Sequence, residues 1–216
     1  MTRTIFFDLD GTLLDSQLGI IRCINYALVK MGSHERDESD LISMIGPPLF
    51  QGFSRLLDTD DEQVLNDTIA AYRERYKDQG IFECHLYDGI PELLARLYED
   101  GHSMHLVTAK PERFAKQIIP HHKLDSIIRG IYGPTLEDMR DGKAHLILRA
   151  LDGEGVELEN AVMVGDRNRD ILGAKELGMT SIGVTWGYGS PEEMDECQPD
   201  SIANNTDELY DIIKKL

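Results

Sequence analysis

The sequence predicts an α/β fold, a parallel sheet core with helices on both faces that carries an inserted α-helical bundle. Three observations predict it. Short apolar runs that end in carboxylates or turn residues recur along the chain. From residue 88 onward, stretches of helical periodicity separate them, and strands joined through helices take right-handed crossovers that build a parallel sheet. Between residues 16 and 87, by contrast, helical periodicity stands almost alone. The expected organisation is a core of residues 1–15 and 88–216 and a helical unit of residues 16–87.

The stretch that organises the core is Ile5-Phe6-Phe7-Asp8-Leu9-Asp10-Gly11-Thr12-Leu13-Leu14-Asp15. Its apolar start suits a buried strand, and Asp8 and Asp10 stand two apart, on one side of the chain at the strand's C-terminal end. Gly11 marks a tight turn where backbone can approach a ligand. Adjacent carboxylates raise one another's pKa unless a cation neutralises them. Mg²⁺, a hard ion that takes oxygen ligands and tolerates phosphate as a partner, is the natural occupant. A lone Asp at a strand end would be a cap or turn residue; a pair directly after a buried run points to chemistry.

Composition excludes several classes. At 216 residues the chain can bury a sizeable core. A formal charge of −17 argues against a nucleic-acid partner, which calls for clustered Lys and Arg. Cys23, Cys84 and Cys197 are widely spaced with no Cys-x-x-Cys, so neither a disulfide framework nor a zinc site is expected. No apolar run approaches membrane-spanning length and no leader pattern precedes the first strand. A cytoplasmic globular protein, monomer or homodimer, is the expectation.

In the helical unit, Ser16 is a candidate N-cap for a helix carrying Ile20, Ile21, Ile24, Leu28 and Met31, with Gly32 as its stop. Gly46-Pro47-Pro48 then breaks the pattern, and Pro48 can open a helix through Phe50, Phe53, Leu56 and Leu57. Asp58 to Asp61 read as turn and cap before the stripe Leu65, Ile69, Tyr72, Tyr76. In the core, Pro91 begins a helix that Gly101 stops. Met104 to Val107 reads as a strand ending in Thr108-Ala109-Lys110; Pro111 starts a helix that Pro120 breaks. Ile127 to Tyr132 is the next strand, and after a charged loop Lys143 opens a helix. Ala161 to Val164 is a strand ending in Gly165-Asp166, Asp170 to Leu177 a helix, Ser181 to Thr185 a fifth strand, and Asp207 caps a final helix. Ligands of such Rossmann-like sheets bind at the carboxyl ends of the strands, where Asp8, Asp10, Thr108 and Asp166 all fall.

Asp8-Leu9-Asp10-Gly11-Thr12 resembles the first motif of the haloacid dehalogenase-like (HAD) superfamily in its phosphatase form, with a helical insert following it as in that family. Gly165-Asp166 with Asp170 resembles the fourth motif, Thr108 the second and Lys143 the third. The resemblance covers nearly the whole chain, and Gly178-Met179-Thr180 to Trp186-Gly187-Tyr188-Gly189 is similar to bacterial phosphoglycolate-phosphatase-like members. It implies Asp8 as nucleophile, Asp10 as general acid/base, and Mg²⁺ held at Asp8, Asp10 (through its carbonyl), Asp166 and Asp170. It implies phosphate contacts from Gly11, Thr12, Thr108, Ala109 and Lys143. The chain departs from the family where Ala109 replaces a frequent Asn or Ser, and where Asp141-Gly142 rather than proline accompanies Lys143. A cation opening a helix meets an unfavourable dipole unless an anion faces it, which favours Lys143 over the competing Lys110 and Lys116.

The implied activity is hydrolysis of a small phosphorylated metabolite through an aspartyl-phosphate, phosphoglycolate-phosphatase-like, with 5'-nucleotidase or pyrophosphatase as alternatives. A sugar-phosphate mutase is disfavoured by Thr12, and a non-catalytic phospho-acceptor domain would need neither Asp10 nor the insert. Gly46, Pro47 and Pro48 read either as an interhelical turn or as a segment that closes on the leaving group. Arg55 reads as a surface residue or as a cation for an anionic leaving group.

Overall fold

The computed structural model describes residues 2–135 and 142–216. It divides into two compact units, one of Met1–Asp15 and Leu86–Leu216, the other of Ser16–His85. Asp141 and the charged loop before Gly142 lie outside the described residues.

The first unit is built on a parallel sheet. Its strands are β1 (Thr4–Phe7), β4 (Ser103–Val107), β5 (Ile128–Tyr132), β6 (Ala161–Gly165), β7 (Thr180–Val184) and β8 (Ser201–Ala203), in the order β5-β4-β1-β6-β7-β8. Two further strands, β2 (Leu14–Asp15) and β3 (His85–Leu86), pair as a separate ribbon. Ile5, Phe6 and Phe7 are fully buried, which fits a central strand covered on both faces. On one face Phe6 and Met163 join Leu146, Ile147 and Ala150 of α7 (Lys143–Glu154) and Ala174 of α8 (Asn168–Leu177). The register sets Phe7 beside both Leu106 and Val164, so the chain leaves β1, β4 and β6 at nearly one level. That level carries Asp8, Thr108 and Asp166.

Several local expectations are corrected. Pro120 does not break its helix: α6 runs Glu112–His121 with Pro120 inside its last turn. The Ser16 side chain makes no capping hydrogen bond to α1 (Gln17–Lys30). The last helix, α10 (Thr206–Ile213), is capped by Asn205, whose side chain accepts from the Glu208 amide, and not by Asp207. The sheet has a sixth strand, β8, preceded by α9 (Pro191–Cys197); three residues bounded by polar turns give no readable alternation.

The second unit packs α1 with α2 (Glu38–Leu41), α3 (Leu49–Leu57) and α4 (Glu62–Tyr76). Phe53 meets Tyr72 edge-on, Tyr72 stacks on Tyr76, and Leu65 is fully buried. Arg75 binds both oxygens of Glu83 at 2.7 and 3.0 Å and, with Arg22, holds that carboxyl below its ordinary range. Gly46 has φ +102, a conformation that favours glycine, and Pro48 is the N-cap residue of α3. Cys23, Cys84 and Cys197 are all free thiols. Among the described residues, no helix is long and apolar enough to cross a membrane.

Two imidazoles in the first unit set an acid limb. Burial pushes His102 below its ordinary value although its Nδ1 accepts the Arg3 amide at 3.0 Å. Burial lowers His105 as well, against the opposing pull of Glu154 3.1 Å away. At these two imidazoles the unfolded chain binds more protons than the fold once pH falls below about 6.5, so their contribution to stability falls as pH drops through that value towards the depressed folded-state pKa values. In thermal melts from pH 7 to pH 5, His102→Asn, which keeps an acceptor for Arg3, should lose less stability on acidification than the wild type; an identical pH dependence would remove His102 from the account.

Candidate active site

Three buried carboxylates converge at the C-terminal edge of β1 and β6. Asp8 follows β1, and its amide donates to the Val164 carbonyl at 2.9 Å, which ties it to the neighbouring strand. Asp166 follows β6 and is fully buried. Asp170 sits in the first turn of α8, where its Oδ2 accepts the Arg167 amide at 3.1 Å. One oxygen from each of the three can lie within 4.8 Å of the others.

Lys143, the first residue of α7, enters this group. Its ammonium lies 2.6 Å from Asp170 Oδ1 and 3.1 Å from Asp8 Oδ1, and it donates to the Val107 carbonyl at 2.9 Å. Burial alone would lower its pKa, but the carboxylates of Asp170 and Asp8 outweigh that and hold it above its ordinary value. Burial pushes Asp170 up to about 6 in spite of Lys143. Asp166 is pushed well above its ordinary value by burial, and further by Asp170 and Asp8. One ammonium cannot neutralise three buried carboxylates, and the donors are oxygen only. That set fits a hard divalent cation such as Mg²⁺, which would favour the ionised form of Asp166 and Asp170.

Lys110 takes a different partner. Its ammonium lies 2.9 Å from Asp10 Oδ2, whereas Asp10 Oδ1 is buried with no hydrogen-bond partner among the described residues. Lys116 pairs with Glu112 on the surface of α6, away from either Asp. The competition among lysines thus resolves by geometry, with Lys143 at Asp8 and Lys110 at Asp10. Thr108 is buried and its Oγ1 accepts the Lys110 amide at 3.2 Å, which leaves its own proton to donate. Ala109 between them is exposed.

Gly11 and Thr12 lie in the loop after Asp10. Their amides are engaged inside the loop, Gly11 with the Leu14 carbonyl at 2.8 Å and Thr12 with Leu9 at 3.3 Å. The Thr12 hydroxyl donates to Asp166 Oδ1 at 3.2 Å. Both shape the loop. Gly11, at φ +85, also makes room: a Cβ there would lie 2.1 Å from Asp166 Oδ2. Gly46, Pro47, Pro48 and Arg55 belong to the second unit, where Arg55 is exposed and donates to the Gln51 carbonyl.

Residues 5–184 match the family model of haloacid dehalogenase-like hydrolases. The chain belongs to that family. A 5'-nucleotidase of Pseudomonas aeruginosa is 42% identical over 195 residues, spanning 90% of this chain and 88% of the relative. A phosphoglycolate phosphatase of Aliivibrio fischeri is 29% identical over 209 residues, 94% of this chain and 92% of that one. Among solved structures, a protein described as a predicted phosphatase from Clostridium acetobutylicum superposes with a TM-score of 0.93 at 37% identity, covering 100% of both chains. In this HAD-like hydrolase the sequence motifs thus coincide with the strand ends that gather the carboxylates.

Two features escaped the sequence reading. The Lys110–Asp10 pair could have been suspected, since Lys110 opens the turn after a strand that neighbours β1. The contacts of Trp186 and Tyr188 with the Thr12 and Asp166 region could not, because nothing local in Trp-Gly-Tyr-Gly names a distant partner.

Removing Lys143 should show how much the acidic cluster depends on it. Lys143→Ala should cost about 3–5 kcal/mol, the usual penalty for breaking a buried ion pair, in urea denaturation without divalent cation. A loss below about 1 kcal/mol, the level of an exposed pair, would mean that water screens the cluster.

Proposed function

We propose that this phosphate-monoester hydrolase moves the phosphoryl group of a small metabolite first to Asp8 and then to water, with Mg²⁺ at Asp8, Asp166 and Asp170. The observation that carries the reading is the buried group of three carboxylates around Lys143, at the strand ends where the family's motifs fall. The Asp10 carbonyl would complete the ligands from this chain. Bound there, Mg²⁺ supplies the positive charge that lets an anionic nucleophile approach a dianionic phosphate.

The chain's own residues do the rest. Lys143 and the amide bond to Val164 fix Asp8, so its carboxylate is presented in one orientation. An Asp8 oxygen attacks phosphorus in line; the new O–P bond forms as the ester P–O bond breaks. Asp10 gives its proton to the departing oxygen, then takes a proton from the water that attacks the aspartyl-phosphate, and Asp8 is regenerated with release of phosphate. Thr108 donates its hydroxyl proton to an equatorial oxygen, and the Ala109 backbone and Lys143 support the same charge. Lys110 leaves Asp10 for the phosphate when the substrate enters, which frees the acid for its task.

The 42% identity to a 5'-nucleotidase supports ranking nucleoside 5'-monophosphates ahead of phosphoglycolate as substrates in this reading. Mg²⁺-supported turnover should vanish in EDTA and in Asp8→Asn, while circular dichroism stays that of the wild type. Phosphate release from Asp8→Asn at more than about one thousandth of the wild-type rate, beyond the residual usually left without a nucleophile, would exclude Asp8 from that role.

The unit of residues 16–85 acts as the cap that sorts substrates, and the turn at Gly46, Pro47 and Pro48 with Arg55 is its reading edge. A panel of nucleotides, phosphoglycolate, pyrophosphate and sugar phosphates checks this. Pro47→Ala with Pro48→Ala should reorder the panel with little change in melting temperature. A fixed order with a lowered melting temperature would make the turn purely structural and move specificity elsewhere.

A further inference from the structure

The residues Trp186-Gly187-Tyr188-Gly189 follow β7 and take no part in the reaction as written, yet they are built against its acidic centre. The Tyr188 amide donates to Asp166 Oδ2 at 2.8 Å, while Thr12 Oγ1 holds the other oxygen. Both oxygens of Asp166 are thereby oriented from this chain. The Trp186 indole N–H donates to the Thr12 carbonyl at 3.0 Å, and the Tyr188 hydroxyl donates to Asp15 Oδ1 at 2.8 Å. The segment is therefore pinned to the loop after Asp10 at two points.

The two glycines show how close the approach is. A Cβ on Gly187 would lie 2.2 Å from the Gly11 carbonyl oxygen and 2.4 Å from Asp166 Cβ. One on Gly189 would lie 1.9 Å from the Asp166 carbonyl oxygen. Neither glycine is among those with positive φ, so it is space and not backbone conformation that bars a side chain. A mere connection to α9, already capped by Ser190, would need none of these contacts.

We infer that Trp186–Gly189 is a positioning segment for the metal centre: its backbone sets the Asp166 carboxylate against Asp8 and Asp170, and Trp186 and Tyr188 lock that backbone to the Asp10–Asp15 loop. This rests on the Mg²⁺ reading proposed above. Neither aromatic side chain touches reacting atoms. Partners of metal-bound carboxylates set affinity by orienting them, and their loss lowers it by about 10–100-fold.

Mg²⁺ titrations of the full chain test this, by calorimetry and by the emission of Trp186, which is the one tryptophan of the sequence. Wild type should bind and Asp166→Asn should not. Tyr188→Phe should bind about tenfold more weakly and Gly187→Ala weaker still, within the range for such contacts. Turnover of Tyr188→Phe should return to the wild-type level when Mg²⁺ is raised in proportion. Tyr188→Phe removes only a hydroxyl, so it decides the matter even where Gly187→Ala does not fold. Wild-type affinity in Tyr188→Phe, or a loss of turnover that excess Mg²⁺ leaves unrepaired, overturns the inference and leaves the Mg²⁺ reading standing. A wild type that binds no Mg²⁺ overturns both.

Discussion

The structure depends on keeping Asp8, Asp166 and Asp170 buried beside one another. Like charges at that distance repel strongly where water cannot screen them. Lys143 answers part of the repulsion by lying against Asp8 and Asp170 at once. It does so from the first residue of a helix, where the helix dipole alone would disfavour a cation. Two carboxylates in front of that terminus reverse the balance. Asp166 is farther from such help, and burial raises its pKa most clearly. Charge is thus left for a divalent ion to complete, and the cluster is a folding constraint as much as a chemical one.

The sheet makes this arrangement possible through register. With β1 between β4 and β6, and Phe7 level with Leu106 and Val164, the residues after the three strands emerge side by side. The apolar residues before them pay the desolvation cost: Ile5, Phe6, Phe7, Val107, Met163 and Val164 are all fully buried. A slip of one residue in β1 would turn Asp8 to the opposite face. The depth of the core and the position of the carboxylates therefore have one cause.

Much of this was legible in the sequence because the informative residues stand at changes of pattern. Asp8, Thr108 and Asp166 each end an apolar run, and Lys143 and Asp170 each lie in a first helical turn. What could not be read was whatever depends on distant partners. Nothing local to Thr12 shows that its hydroxyl donates to Asp166, more than 150 residues away. Pro120 reads as a helix breaker, but it stands at the end of α6, where only His121 follows it in the helix. β8 is three residues long and pairs with β7 at the end of the strand order, so its place is set by the sheet and not by its own alternation. Trp186 to Gly189 read as a likeness without a role, since glycines required by space leave no local signature.

Asp8 and Asp10 show how one short loop separates two chemical tasks. They are the same residue type, two positions apart, and each is met by a buried lysine. Lys143 also binds Asp170 and the Val107 carbonyl, so its hold on Asp8 belongs to a rigid network that substrate cannot easily replace. Lys110 lies 2.9 Å from Asp10 Oδ2, and the other Asp10 oxygen is buried without a hydrogen bond among the described residues. An oxygen in that state is costly to keep. Environments that differ in this way push two identical side chains towards different roles. In the roles proposed for them, Asp8 to attack and Asp10 to carry the proton, the surroundings that differ are the lysines.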